Sequence, residues 1–205
     1  MTKIQIAVYG AIVFSFFYYL IRFTFDLLLR GFAPVVSSRP WVIETLIDEL
    51  KKNKIKENPV IYSLSCGKSG FLYFVGKAFP NATLIGVEND FLLYLLERIQ
   101  VWIRLLDIKV LYEKRLYSLD VSKANVIYCY LGIEYLRELP KKFKFECKPG
   151  TLIISVGFPI PNLPEKKVLE ISQQQGRLDF LSKRKIFSSK KKEGKRPHLI
   201  YVYEI

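Results

Sequence analysis

Residues 61–70 read IYSLSCGKSG. A run of strand-forming residues meets a cysteine, and glycines follow at positions 67 and 70. In an α/β sheet this is how a strand hands over to a ligand-binding turn. Glycine lets the backbone approach a ligand, and the free N–H groups of the helix that follows face the turn. An acidic residue often stands just before such a turn; here Ser63 and Ser65 take those places. Gly67 and Gly70 alone fit a structural turn equally well, so their surroundings must decide.

Downstream, the pattern alternates. The sequence predicts strands at Val60–Leu64, Thr83–Val87, Val110–Tyr112, Val126–Tyr130 and Leu152–Val156. Between them it predicts helices over Phe71–Phe79, Asp90–Leu106 and Tyr135–Leu139. The long one carries an apolar stripe at Leu93, Leu96, Ile99, Ile103 and Leu106. Strands alternating with helices imply βαβ units and a parallel sheet. Val168–Gln174 and His198–Glu204 read as two last strands with no helix between them, an antiparallel pair at the sheet edge. The expected fold is α/β, a Rossmann-like, mostly parallel sheet with an antiparallel edge hairpin. Such a sheet binds ligands beyond the carboxyl ends of its strands. Glu88 stands at the end of the second strand, about twenty residues past the glycine turn, where a carboxylate can accept both hydroxyls of a ribose. Asn89 or Asp90 is available to cap the next helix, which leaves Glu88 for a ligand. Turn and carboxylate together indicate a nucleoside-type cofactor. These residues leave NAD and S-adenosylmethionine open. Only the G-x-x-G part of a pyrophosphate cradle is present, and S-adenosylmethionine, having no phosphate, tolerates the looser loop.

The amino-terminal stretch Ile4–Ile21, IQIAVYGAIVFSFFYYLI, holds no charge. As a helix it is roughly 27 Å long, close to the thickness of a bilayer's hydrocarbon core. No small-x-small cleavage site follows, and Arg22 does, so a transmembrane helix is expected in preference to a signal peptide. Basic residues are denser after it (Arg22, Arg30, Arg39, Lys51, Lys52) than before it, where Lys3 stands alone. The positive-inside tendency then makes this a single-pass membrane protein with its carboxyl-terminal domain cytoplasmic. The expected division is 1–30 as anchor and juxtamembrane helix, 31–58 as linker loop and helix, and 59–205 as the α/β domain. Lys+Arg outnumber Asp+Glu by 32 to 19, a net charge of +13, which favours an anionic partner. Beside an anchor, the basic run Lys183–Arg196 is met most simply by anionic lipid, and nucleic acid is disfavoured. Cys66, Cys129 and Cys147 lie far apart with no CxxC, and His198 is the one histidine, so no metal site is expected.

The order of these elements, with CGKSG at 66–70, GVEND at 86–90 and KPGTLIIS at 148–155, resembles the class I S-adenosylmethionine-dependent methyltransferases. More closely, the chain resembles the small membrane-anchored protein-lysine methyltransferases whose mitochondrial members modify the ATP synthase c subunit and the adenine nucleotide translocase. A proline-containing loop, APVVSSRP, follows the apolar segment at 33–40, and FPIP at 158–161 matches a family FPxP element after the fifth strand. The resemblance implies S-adenosylmethionine as cofactor, held by Ser63, Ser65, Cys66, Gly67, Gly70, Glu88 and Asn89, with Tyr117 and Asp120 flanking the adenine. Pro34, Ser37, Ser38, Phe158, Pro159 and Pro161 would frame the acceptor. No general base is identified. Ser63 stands where the family has an acid in its first strand, Arg115 where it has one after the third, and Gly157 where an arginine precedes FPxP. The expected function is methylation of a lysine on a membrane protein. A catalytically reduced binding module at the membrane, or an RNA methyltransferase or binder, is the alternative.

Overall fold

The computed structural model describes residues 3–25, 40–53, 55–65, 70–171 and 198–205. The loop residues Pro34, Ser37, Ser38, Cys66 and Gly67, and the basic run Lys183–Arg196, lie outside these.

Four strands are near-continuous apolar runs and buried almost throughout: β1 (Val60–Leu64), β2 (Thr83–Glu88), β4 (Val126–Cys129) and β5 (Leu152–Val156). Such runs suit strands covered on both faces. With β3 (Ile108–Tyr112), β6 (Lys167–Ile171) and β7 (His198–Glu204) they form one sheet, ordered β3-β2-β1-β4-β5-β7-β6. The first five strands pair in parallel. β7 is antiparallel to both β5 and β6. The expected mostly parallel sheet with its antiparallel pair is present, but the pair is not simply added to the edge. β7 inserts between β5 and β6, and β6, with Lys167 and Glu170 exposed, forms the rim.

One face of the sheet packs against α2 (Pro40–Lys52) and α3 (Gly70–Ala78), through Leu46, Leu50, Phe71 and Val75. The other packs against α5 (Ile133–Leu136) and α6 (Leu139–Glu146), through Leu136, Leu139 and Phe143. α4 (Phe91–Ile103) follows β2 and packs on β2 and β3; the Asp90 side chain accepts from the Leu93 N–H at 2.9 Å as its N-cap. α2 is tied to the rim by Lys167, whose ammonium donates to Glu49 Oε2 at 2.9 Å. Burial alone would raise the Glu49 carboxyl; the Lys167 partner outweighs it and holds the group below its ordinary value.

α1 (Lys3–Phe25) is helical as expected, and its large apolar side chains from Val8 to Ile21 are exposed. Among the described residues, however, no helix is long and apolar enough to cross a membrane.

The Cys129 and Cys147 thiols are buried in the layer under α6, and neither forms a disulfide. Burial pushes Cys147 up to about 11 from 9.0 and raises Cys129 further. Both thiols therefore ionise earlier in the unfolded chain than in the folded one. Stability is full below pH 9 and lost as pH rises through the folded values. The midpoint of urea unfolding should fall between pH 9 and 11, and fall less steeply in Cys147→Ala. Parallel pH curves for the two proteins would contradict the assignment.

Candidate active site

The strand order reverses at β1. Connections from β1 run outward to β2 and β3, whereas β4 and β5 lie on its other side. The crevice between the carboxyl ends of β1 and β4 is the switch point, where open α/β sheets bind ligands. Ser63 lies one residue before the end of β1, paired with Gly86 of β2 and Tyr128 of β4. It is fully buried, and among the described residues its Oγ has no hydrogen-bond partner. A buried hydroxyl without a partner costs roughly 1–3 kcal/mol, so natural folds seldom leave one except where something else answers it. Around it Phe71 stacks on Tyr128, with ring centroids 3.9 Å apart and planes 15° from parallel. Gly86, its neighbour on β2, contributes no side chain.

Ser65 begins the turn with φ 57, a left-handed conformation that a non-glycine residue adopts only under local constraint. Gly70 opens α3. A Cβ there would lie 3.2 Å from the Phe74 ring and 3.7 Å from Ile43, so part of its role is close packing of α3 against α2.

Glu88 ends β2 and is fully buried, an uncommon position for a carboxylate. It does not cap α4, because Asp90 does so. Asn89 is half-exposed between them. The Glu88 carbonyl accepts from the N–H of Glu113 at 2.9 Å. This brings a second acid, absent from the sequence reading, to the same end of the sheet. The Glu113 carboxylate accepts from the Arg115 N–H at 3.2 Å. Arg115 drew attention as a missing acid; the acid nearest that end of the sheet stands two residues earlier.

Tyr117 and Asp120 are not brought to this crevice. The Asp120 carboxylate accepts from the Ser122 N–H at 2.9 Å, which holds it below its ordinary value. The next residue, Val121, donates its N–H to Glu146 Oε2 at 3.2 Å, at the last turn of α6. Asn125 donates to the carbonyl of Val60, the first residue of β1. Asp120 therefore sits near the amino ends of the strands, opposite Glu88. Tyr117 is exposed, with Lys142 Nζ 5.6 Å from its ring centroid.

The loop after β5 is built in detail. Ser155 Oγ donates to the Phe158 carbonyl at 2.7 Å, and the Ile160 N–H donates to the buried Tyr203 hydroxyl at 2.8 Å. Phe158 and Pro159 are exposed and Pro161 half-exposed. Gly157 has φ 92, with nothing within 4 Å of a Cβ placed on it. Backbone conformation, not space, favours glycine where an arginine was expected. Among the described residues no group of His, Cys, Asp and Glu is arranged to hold a metal.

The ANTKMT methyltransferase domain matches residues 64–167, from the end of β1 to the start of β6 and half of the chain. The chain belongs to this family. It is a class I S-adenosylmethionine-dependent methyltransferase. A protein-lysine N-methyltransferase of Saccharolobus islandicus is 23% identical over 182 residues, covering 85% of this chain and 97% of that one. An RNA methyltransferase from Salinibacter ruber, solved with S-adenosyl-L-homocysteine, shares the fold at TM-score 0.63 and 18% identity, over 83% of this chain and 94% of its own. A geranyl diphosphate C-methyltransferase from Streptomyces coelicolor does so at TM-score 0.55 and 10% identity, over 80% of this methyltransferase and 79% of its own chain. These likenesses establish the fold; the residues around Ser63 and Glu88 must show whether the cofactor fits. An unanswered hydroxyl, a glycine beside it and a carboxylate at the next strand end are polar features that a nucleoside bearing an amino acid can satisfy.

Ser63→Ala separates ligand-binding from structural use of that hydroxyl. It should raise the stability of the ligand-free protein by about 1 kcal/mol, because an unsatisfied buried group is removed. It should also weaken S-adenosylmethionine binding measured by calorimetry. Stability gained with binding unchanged would remove Ser63 from the site.

Proposed function

We propose that the chain methylates the side-chain amine of a lysine on a membrane-borne protein, with α1 holding it at the bilayer and the α/β domain on the cytoplasmic side. The observation that carries the reading is the pair of buried polar groups at the switch point, Ser63 on β1 and Glu88 on β2. A lysine acceptor is supported by the similarity to a protein-lysine methyltransferase over almost the whole of both chains. Membrane attachment is supported by the apolar side chains that α1 exposes from Val8 to Ile21, and by the basic residues that follow Ile21 in the sequence.

S-adenosylmethionine, when bound, supplies a methyl group on a sulfonium, already a strong electrophile. The protein's task is then to position the partners and exclude water. Glu88 would accept the ribose hydroxyls, with Glu113 at the same end of the sheet. Ser63, Ser65 and the turn through Cys66, Gly67 and Gly70 would receive the amino-acid portion. The loop Phe158–Pro161, braced by Tyr203 and Ser155, would form one wall of the acceptor channel. The attacking amine must be neutral, and an apolar channel lowers a lysine's pKa by desolvation. This gives a role to the exposed Phe158 and Pro159 without requiring a general base.

One observation favours a second reading, a binding module with weakened turnover. Ser63 is neutral where the family carries an acid, and a hydroxyl holds a cationic amino group less firmly than a carboxylate.

The test incubates the full chain, in lipid, with S-adenosylmethionine and membrane proteins, and reads intact masses and lysine peptides. One or more methylene increments on a lysine are expected. Glu88→Gln should weaken cofactor affinity about ten- to a hundredfold, the worth of a hydrogen bond to a charged group. Cofactor binding without any methylated acceptor would replace the enzyme reading with the binding module. Absence of binding would sink both.

A further inference from the structure

α4 is apolar on the side where a surface helix is ordinarily polar. Phe91, Leu92, Leu95, Ile99 and Trp102 are all exposed, Trp102 at 76%, while the one residue the helix buries is Gln100. Positions 92, 95, 99 and 102 form a single stripe along a helix of roughly 20 Å. Just past its end, Leu105 is 89% exposed and held at φ 51. Its backbone conformation is that of the residue closing the helix, since the Leu106 N–H donates to the Val101 carbonyl and the Leu105 N–H to that of Trp102, but its side chain is left facing outward. Helices apolar on both sides are covered by something. The described part of the chain does not cover this stripe.

The border of the stripe is basic and aromatic. Arg98 and Lys109 line the groove between α4 and the edge strand β3, together with Trp102 and Leu105. At the same end Lys77 Nζ and the Arg104 guanidinium lie 4.4 and 5.9 Å from the centre of the Tyr73 ring. Nearby acids are fewer or engaged: Asp90 caps the helix, Glu97 is half-buried, and Asp107 is exposed. Apolar side chains centred on a stripe, a tryptophan among them and cations along the rim are the features of a helix lying in the headgroup layer of a bilayer. In a second copy of the chain docked symmetrically on the stripe, the same cations would meet their counterparts; lipid phosphates complement them.

We propose that the outward face of α4 lies in the interfacial layer of an anionic bilayer, with Leu92, Leu95, Ile99, Trp102 and Leu105 among the upper acyl chains and Arg98 and Lys109 at the phosphates. This rests on the membrane reading above but is separable from it, since α1 can anchor the chain while α4 stays in water. Its consequence is orientation. α4 begins directly after the strand that carries Glu88, so seating it on lipid sets the cofactor end of the sheet at the bilayer surface, within reach of a lysine close to the membrane.

The chain has two tryptophans, so Trp41→Phe leaves Trp102 as the reporter. The full chain is reconstituted into vesicles of phosphatidylcholine and phosphatidylglycerol whose acyl chains carry bromine near the headgroup. Trp102 emission should be blue-shifted and strongly quenched. Leu92→Glu with Leu95→Glu should restore it while the chain still floats with the vesicles. If Trp41→Phe folds poorly, the difference spectrum between the native chain and Trp102→Phe gives the same signal. Floating chain with unquenched, solvent-like Trp102 emission overturns this proposal alone. A chain that fails to float overturns it together with the anchor. A blue shift that follows protein concentration without bromine quenching means self-association and also overturns it.

Discussion

The chain winds outward from β1 through β2 to β3 and then crosses back to lay β4 and β5 on the other side of β1, and a sheet covered on both faces cannot close over the place where the two directions part. That topological constraint makes the crevice at the carboxyl ends of β1 and β4 unavoidable, and the rest of the active site is arranged around it. The apolar layers under α2 and α3, and under α5 and α6, hold the strands in register, so Ser63, Gly86 and Tyr128 lie side by side. Within this frame the fold holds a buried carboxylate at Glu88 and, among the described residues, a buried hydroxyl without a partner at Ser63. Burying an ionised carboxylate costs several kcal/mol unless partners offset it. Departures of this kind from the ordinary rules of burial concentrate where a protein binds something.

The strands were legible because both of their faces are covered, which leaves long runs of Val, Ile, Leu and Tyr that few other elements produce. Glu88 was legible from its distance to the glycine turn. α6 was not, and the reason is local. LPKKFKFE reads as a charged surface segment, yet Lys142 is buried because Glu146 neutralises it at 2.6 Å. α4 was placed correctly, and most of its expected stripe turns inward: Leu93, Leu96, Ile103 and Leu106 are half-buried and Ile99 is exposed. What periodicity did not show is the second apolar stripe on its outward side. Asp120 was put with the adenine by its position after β3. The bond from Val121 to Glu146, which draws that segment toward the amino ends of the strands, joins residues 25 apart and leaves no mark in a local pattern.

Two of the apparent losses relative to the family have physical readings. Gly157 occupies a left-handed backbone conformation that an arginine would adopt only with strain. The missing acid near Arg115 has Glu113 close by, one residue past β3 and bonded to the strand that carries Glu88. Ser63 remains without such a substitute among the described residues.

The proposed mechanism requires the cofactor in the crevice between Ser63 and Glu88. A crystal structure of the chain with S-adenosyl-L-homocysteine tests this most directly. Both ribose hydroxyls should lie within hydrogen-bond distance of the Glu88 carboxylate, about 2.6–3.2 Å, and the amino-acid end of the ligand beside Ser63 Oγ. A ligand bound elsewhere, or one that leaves Glu88 and Ser63 untouched, would contradict it.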